Sequence, residues 1–339
     1  MLVLAAVVLA LAGTAAAAVR TAGPARADSW VTPNPSIAAN EYNDQWVFWQ
    51  GTNGGLWEAY KAGSSTSWQG PTYISKMGTL GSTPSVAVIG INGTVPYVTW
   101  TGEDGKLWLA YDSSGGWVGP CDLGMGPLAL GQRPSIMSDQ SGDLTIGWQG
   151  ENNALWYANS TTANPTCSGW SGPHSLGDGP LGSVPSLYGP AGGQYLSAAW
   201  TGNGAQDLWY TTAGGLYNLD CGPLGSPPAL TGYFYPSHYM AFWAGQNQQL
   251  WFTEIDNNGM YPVSTCSPGT VGGTGPTSLK VGPLETAPSV GWNGNDTPSG
   301  QTWFVVWQGA DNGLWELTLT YEGTYFDASV REVPGMGPL

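Results

Sequence analysis

Along Leu144–Gln149 the chain alternates. Leu144, Ile146 and Trp148 fall on one side, Thr145 and Gly147 on the other. A period of two predicts a β-strand, because successive strand side chains point to opposite faces. The same kind of strand precedes Gly102-Glu103-Asp104-Gly105, whose glycines and carboxylates have the chemistry of a tight hairpin. A Leu-Trp pair then opens a further apolar run. This phrase, Trp-x-Gly followed by Leu-Trp, occurs six times. Its second tryptophans are Trp57, Trp108, Trp156, Trp209, Trp251 and Trp315, between 42 and 64 residues apart.

Each unit carries two more signals. A Pro-Ser and a short apolar run come before the phrase, at 35, 84, 134, 185, 236 and 288. In the first three units a Trp-x-Gly-Pro comes after it, at 68, 117 and 170. The unit therefore holds four strand-like runs: Pro-Ser, Trp-x-Gly, Leu-Trp and Trp-x-Gly-Pro. Four antiparallel strands in about fifty residues describe a propeller blade. The predicted fold is all-β, a six-bladed β-propeller of four-stranded antiparallel blades, with seven blades as the alternative. One blade cannot bury both its faces, but a ring of blades buries them all. Trp49, Trp100, Trp148, Trp200, Trp243 and Trp307 are expected as wedges between blades. The chain opens at a Pro-Ser and stops at Gly-Met-Gly-Pro-Leu, the connector that elsewhere precedes Pro-Ser. The ring is therefore expected to close by packing, without a shared blade.

Composition narrows the class. Only 9% of the 339 residues are charged, against 52 Gly, 26 Pro and 19 Trp. That suits short strands joined by tight turns and does not suit disorder. The apolar run at 1–13 and Ala25-Arg26-Ala27 predict a signal peptide over 1–27, cut before Asp28, leaving one propeller domain over 28–339. Removal of Arg20 and Arg26 leaves six basic side chains against 23 carboxylates. Such a surface repels phosphate backbones, so no nucleic-acid partner is expected. No later segment is apolar and long enough for membrane insertion.

Export implies an oxidising compartment. Cys121, Cys167, Cys221 and Cys266 are expected to form two disulfides, with Cys121–Cys167 and Cys221–Cys266 the preferred pairing of three. Their wide spacing and the presence of only His174 and His238 argue against a metal site, and no cofactor is expected. The mature chain has two arginines, Arg133 and Arg331, too few for the triple arginine clamp of a sialidase. Carboxylates such as Glu103, Asp104, Glu151, Asp256 and Asp311 are read as turn residues. No Gly-x-Ser-x-Gly, His-Glu-x-x-His or phosphate-cradling loop is present.

The combination of Trp-x-Gly-x-x-x-x-Leu-Trp, Trp-x-Gly-Pro and Gly-Pro-Leu-x-Ser-x-Pro-Ser resembles the tectonin and PLL-like β-propeller lectins, over about residues 28–339. The resemblance implies a sugar-binding protein with sites between adjacent blades, built from aromatic and small polar side chains. Three departures stand out. PLL-type lectins usually have seven blades, and units four to six lose Trp-x-Gly-Pro. Two arginines also cannot supply the arginine–glutamate pair that fungal Aleuria-type fucose lectins place in each site.

The expected function is a secreted, multivalent, non-catalytic carbohydrate-binding protein whose partners are glycans or a cell-surface polysaccharide. An extracellular protein-interaction scaffold is the alternative, and a glycoside hydrolase stands last. Trp68, Trp117 and Trp170 are candidate stacking platforms for the apolar face of a sugar. Gln50, Thr101 and Gln149, after the inner tryptophans, and the turn residues Asn53, Asp104 and Asn152 are candidate hydrogen-bonding partners. Simple rim packing and hairpin chemistry are the competing roles for these nine residues.

Overall fold

The computed structural model describes residues 34–334 apart from 90–93, 130, 140–141, 190–195, 205, 213–214, 233–237, 257–262, 265–275, 295–298 and 323–325. The expected signal peptide lies outside the described residues. The described chain forms six antiparallel sheets in sequence order, each from one contiguous stretch, and contains no α-helix. The arrangement is a six-bladed propeller. Blade 1 is Ser36–Ala39, Gln45–Gln50, Leu56–Lys61 and Gln69–Tyr73. Blade 2 is Ser85–Val88, Pro96–Thr101, Leu107–Tyr111 and Val118–Asp122. Blades 3, 4 and 6 begin at Ser135, Ser186 and Ser289.

Blade 5 corrects the sequence reading. The Pro-Ser at 236 does not open its first strand. That strand is Ala229–Gly232, and it pairs with His238–Ala244, the second strand. The connectors supply the reason. Ser82, Ser183 and Ser226 each accept the backbone N–H at the end of a second strand, from Thr101, Thr201 and Ala244. Ser82 and Ser183 stand three residues before a first strand, so Ser226 sets the first strand at Ala229. Alanine here replaces the usual serine, which hid the strand. The outer edge of the blade is split into Val263–Ser264 and Thr277–Ser278, both paired with Leu250–Asp256.

The hydrophobic core is divided into one cluster per blade junction. Trp100 packs with Phe48 and Leu56 of the preceding blade, Trp148 with Leu107 and Leu109, and Trp49 with Phe304 and Leu314. Trp200, Trp243 and Trp307 occupy the other three junctions. All six are buried, as wedges should be. Each buried indole removes on the order of 150–250 Å² from water. The alternation along Leu144–Gln149 separates two interfaces rather than core from solvent. Ile146 and Trp148 face blade 2, and Gly147 has room only for Leu187 of blade 4.

Polar clamps reinforce the inner rim. The Ser36 hydroxyl accepts the Val86 N–H at 3.0 Å, Ser85 that of Ile136, Ser135 that of Leu187 and Ser186 that of Leu230. Ser289 accepts the Ile37 N–H at 3.1 Å, across 252 residues, and closes the ring between blades 6 and 1. Among the described residues no strand is shared there. Cys121 and Cys167 join blade 2 to blade 3 with Cα atoms 5.3 Å apart. Closing a loop of 46 residues removes unfolded-state entropy equivalent to about 4 kcal/mol in the chain-entropy model. Cys221 is also disulfide-bonded. Its expected partner, Cys266, lies outside the described residues.

Candidate functional site

The up-and-down order of each blade gives the ring two different ends. The hairpins between second and third strands lie at one end, with the connectors between blades. The turns between first and second, and between third and fourth, strands lie at the other. We call these the hairpin face and the loop face.

The repeated phrase builds the hairpin face. Asn53 Oδ1 accepts both the Gly55 N–H and the Trp57 indole N–H, each at 3.1 Å. Asp104 does the same for Lys106 and Trp108, and Asn152 for Ala154 and Trp156. Asn247 and Asp311 repeat the clasp on Trp251 and Trp315. The indole lies against the glycine of Trp-x-Gly, where a Cβ on Gly51, Gly102 or Gly150 would strike it. This explains why the phrase needs a glycine and a turn Asn or Asp at fixed distances from Leu-Trp. The indole and backbone donors hold the exposed Asp104 carboxyl below its ordinary value, indole first.

The side chains after the inner tryptophans tie hairpins to connectors. Gln50 Nε2 donates to the Leu80 carbonyl at 2.7 Å, and Gln149 Nε2 to that of Leu181 at 3.0 Å. Thr101 Oγ1 donates to the Gln132 carbonyl at 2.6 Å.

Trp68, Trp117 and Trp170 stand at the opposite end. Each enters the fourth strand from the loop face, as the pairings Tyr60–Gln69, Tyr111–Val118 and Ser160–Trp170 require. A strand of five or six residues spans roughly 15–20 Å. One monosaccharide therefore cannot touch Trp68 and Asn53 together. The nine candidates divide into three tryptophans on the loop face and six polar residues on the hairpin face.

The three tryptophans are half-buried and sit at junctions with the preceding blade. Trp117 meets Phe48 edge-on at 5.6 Å. Trp170 packs on the cluster between blades 2 and 3, and its indole N–H donates to the Thr166 carbonyl at 3.1 Å. Trp68 lies under the Lys61 ammonium, 5.3 Å from the ring centroid, within cation–π range. Its own Nε1 is buried without a hydrogen-bond partner.

Two carboxylates missed by the sequence reading stand beside these rings. Glu58 and Glu316 are the third residues of Leu-Trp-Glu, at 56–58 and 314–316, and both lie in third strands rather than turns. Asp256, expected in a turn, also ends a third strand. Glu316 is completely buried between blades 6 and 1. Its Oε1 is 3.2 Å from Lys61 Nζ and its Oε2 is 2.7 Å from Arg331 Nη2. Burial pushes the Lys61 ammonium down, and Glu316 opposes that shift.

Glu58 holds the same position between blades 1 and 2. Burial, and then the nearby Asp112 carboxylate, push it up to about 7, while the Trp117 indole pulls the other way. The signal in the sequence was Glu after Leu-Trp in only two units. The other units have Leu109, Tyr157, Tyr210 and Phe252 there.

His174 stands on the outer strand of blade 3, with Nε2 3.2 Å from Ser171 Oγ and its ring 5.2 Å from that of Tyr157. The His238 side chain lies outside the described residues.

No family model matches the chain, and no curated protein matches it by sequence. Solved structures match it by shape. An Aleuria aurantia lectin mutant in complex with Fucα1-6GlcNAc has 13% identity and a TM-score of 0.65, over 91% of this chain and 97% of that one. The BP39L lectin from Burkholderia pseudomallei has 19% identity and a TM-score of 0.58, over 89% and 82%. AofleA from Arthrobotrys oligospora has 10% identity and a TM-score of 0.61, over 88% and 86%. At these identities the likeness establishes one thing, that the chain has the six-bladed propeller fold of these proteins.

Proposed function

We propose that the chain is a secreted, non-catalytic, multivalent carbohydrate-binding protein, with sites on the loop face at blade junctions. The observation that carries this is the half-buried tryptophan repeated at three junctions, with polar groups beside it in two of them. An exposed indole face can stack on the C–H face of a sugar, while carboxylates and amides take its hydroxyls. Several similar solved propellers are lectins with fucosylated sugars or methyl fucoside bound. The sites at Trp117 and Trp170 would share one rigid ring, so weak individual sites gain strength on a surface bearing many glycans. The disulfide between Cys121 and Cys167 suits an exported protein. The polar residues of the hairpin face contribute structurally in this reading, because their acceptors and donors already have partners.

The scaffold reading is favoured at one junction. Lys61, Glu316 and Arg331 fill the space beside Trp68 with the chain's own side chains.

The test is a glycan array with the mature protein, alongside an assay for new reducing ends. The expected result is retention on a restricted set of glycans without turnover. Trp117→Ala should reduce retention several-fold. Turnover lost on one carboxylate substitution would overturn the reading, and so would binding to no glycan with recovery of a defined protein partner.

A further inference from the structure

The two junctions that flank blade 1 use the same repeat positions with opposite charges. Between blades 6 and 1, Glu316 after Leu-Trp meets Lys61, the residue after Tyr60, beside the rim tryptophan Trp68. Between blades 1 and 2 the corresponding residues are Glu58, Asp112 after Tyr111, and Trp117. Lys61 places an ammonium between a carboxylate and an indole. Asp112 replaces it with a second carboxylate, close enough to raise Glu58. Glu58, Asp112 and Trp117 are each part-exposed, whereas Glu316 and Lys61 are buried.

We infer that the junction between blades 1 and 2 binds the ammonium group of an amino sugar, held by Glu58 and Asp112 and stacked on Trp117. Two observations point to this ligand independently. The first is a pair of part-exposed carboxylates beside an indole, of which Asp112 accepts the Ser113 backbone N–H at 2.9 Å. Among the described residues, no lysine or arginine forms an ion pair with Glu58 or Asp112, although Glu316 has two such partners. The second is the equivalent junction, where the chain itself supplies an ammonium to the same carboxylate position and the same aromatic wall. The Lys61 geometry shows which group this architecture accepts: a cation 3.2 Å from the carboxylate and about 5 Å from the ring centroid. A free amine on a pyranose brings that group together with an apolar ring face, so it can use both the carboxylates and the indole. An N-acetylated sugar carries no charge and cannot.

The inference rests on the carbohydrate-binding reading and narrows it. It is tested by calorimetric titration at pH 7 with methyl glucosaminide, methyl N-acetylglucosaminide and propylammonium. The native protein should bind the free amine about tenfold more tightly than the acetylated sugar, as expected for one charge-assisted contact. Asp112→Lys, which copies the blade 6–1 arrangement, should erase that preference, and Glu58→Gln should reduce it. Glu103→Lys makes the same charge change on the opposite face and should leave the preference intact. Asp112→Asn decides the matter if the lysine variant does not fold.

Equal affinity for the two sugars, or a preference that survives Asp112→Lys, overturns the inference. Propylammonium binding as tightly as the amino sugar overturns its sugar component. If array glycans bind but amino sugars do not, the inference fails and the lectin reading stands. If no glycan binds, both fail.

Discussion

Blades 6 and 1 meet through a buried carboxylate held by two cations, whereas blades 1 and 2 meet through two carboxylates and an indole. The backbone, the wedge tryptophan and the rim tryptophan are alike in both. The difference lies at two positions: Lys61 against Asp112, and Arg331, opposite Glu316 on the outer strand, against Thr72, opposite Glu58. The first junction has satisfied its buried charge internally and closes the ring. The second has its charge only partly buried and unpaired by any cation among the described residues. A repeat protein can thus fill a slot with its own cations in one copy and leave the same slot without them in the next. Packing fixes the slot, and the side chains around its carboxylate set its charge.

The sharpest way to break this comparison is to remove the seam's carboxylate. Glu316→Ala leaves Lys61 buried among Trp68 and Phe304 without its partner. Loss of one member of a buried pair costs about 3–5 kcal/mol, so denaturant unfolding should show a large drop in midpoint. A small drop would mean that Lys61 escapes to solvent and that the seam is held by apolar packing alone.

A smaller effect of opposite direction is expected at the other junction. The folded-state value of Glu58, about 7, lies above its ordinary 4.5. The folded protein therefore holds this proton more tightly than the unfolded chain. The associated stability is complete below pH 4.5 and is lost as pH rises through about 7. Glu58→Gln keeps the size of the side chain and carries no charge at any pH. Its melting temperature should match the native one near pH 5 and exceed it at pH 8. Parallel melting curves at both pH values would show that Glu58 titrates normally.

The smallest effect concerns the inner rim. Ser289→Ala and Ser36→Ala each leave a buried backbone N–H, of Ile37 or Val86, without its acceptor. Each should cost on the order of 1 kcal/mol. Equal losses would make the closing clamp one of a set. A larger loss for Ser289→Ala would mark the seam as the weak point of the ring.

The parts legible in the sequence were those that every blade must repeat. Wedge tryptophans recur because each junction must be filled, and Trp-x-Gly with Leu-Trp recurs because indole, glycine and turn residue form one packed unit. The first strand of blade 5 was illegible because Ala229 lacks the serine that marks the others, while a chance Pro-Ser at 236 supplied a false marker. The site was legible only in part. Gln50 and Trp68 are close in sequence yet face opposite ends of a blade, since each strand reversal moves the chain across its full width. Glu58 and Glu316 escaped notice because the significance of a strand carboxylate depends on the neighbouring blade. For Glu316 that neighbour lies 255 positions away, at Lys61.

Among the described residues no strand is shared at the seam, and this has a kinetic consequence. Within a blade every ladder joins near neighbours in sequence, and consecutive blades meet across roughly fifty residues. The contacts from blade 6 back to blade 1 span far more, 252 for Ile37–Ser289 and 255 for Lys61–Glu316. Contacts of long sequence separation pay the largest loop-closure entropy and form late. The blades thus assemble as an open arc, and the seam is the final step. In the native state the same seam can part with every described ladder intact, because the described bonds across it, Ile37 N–H to Ser289 and Lys61 to Glu316, each involve a side chain. Pulsed hydrogen exchange would register this as early labelling of the Ile37 amide, ahead of the ladder amides of blades 1 and 6.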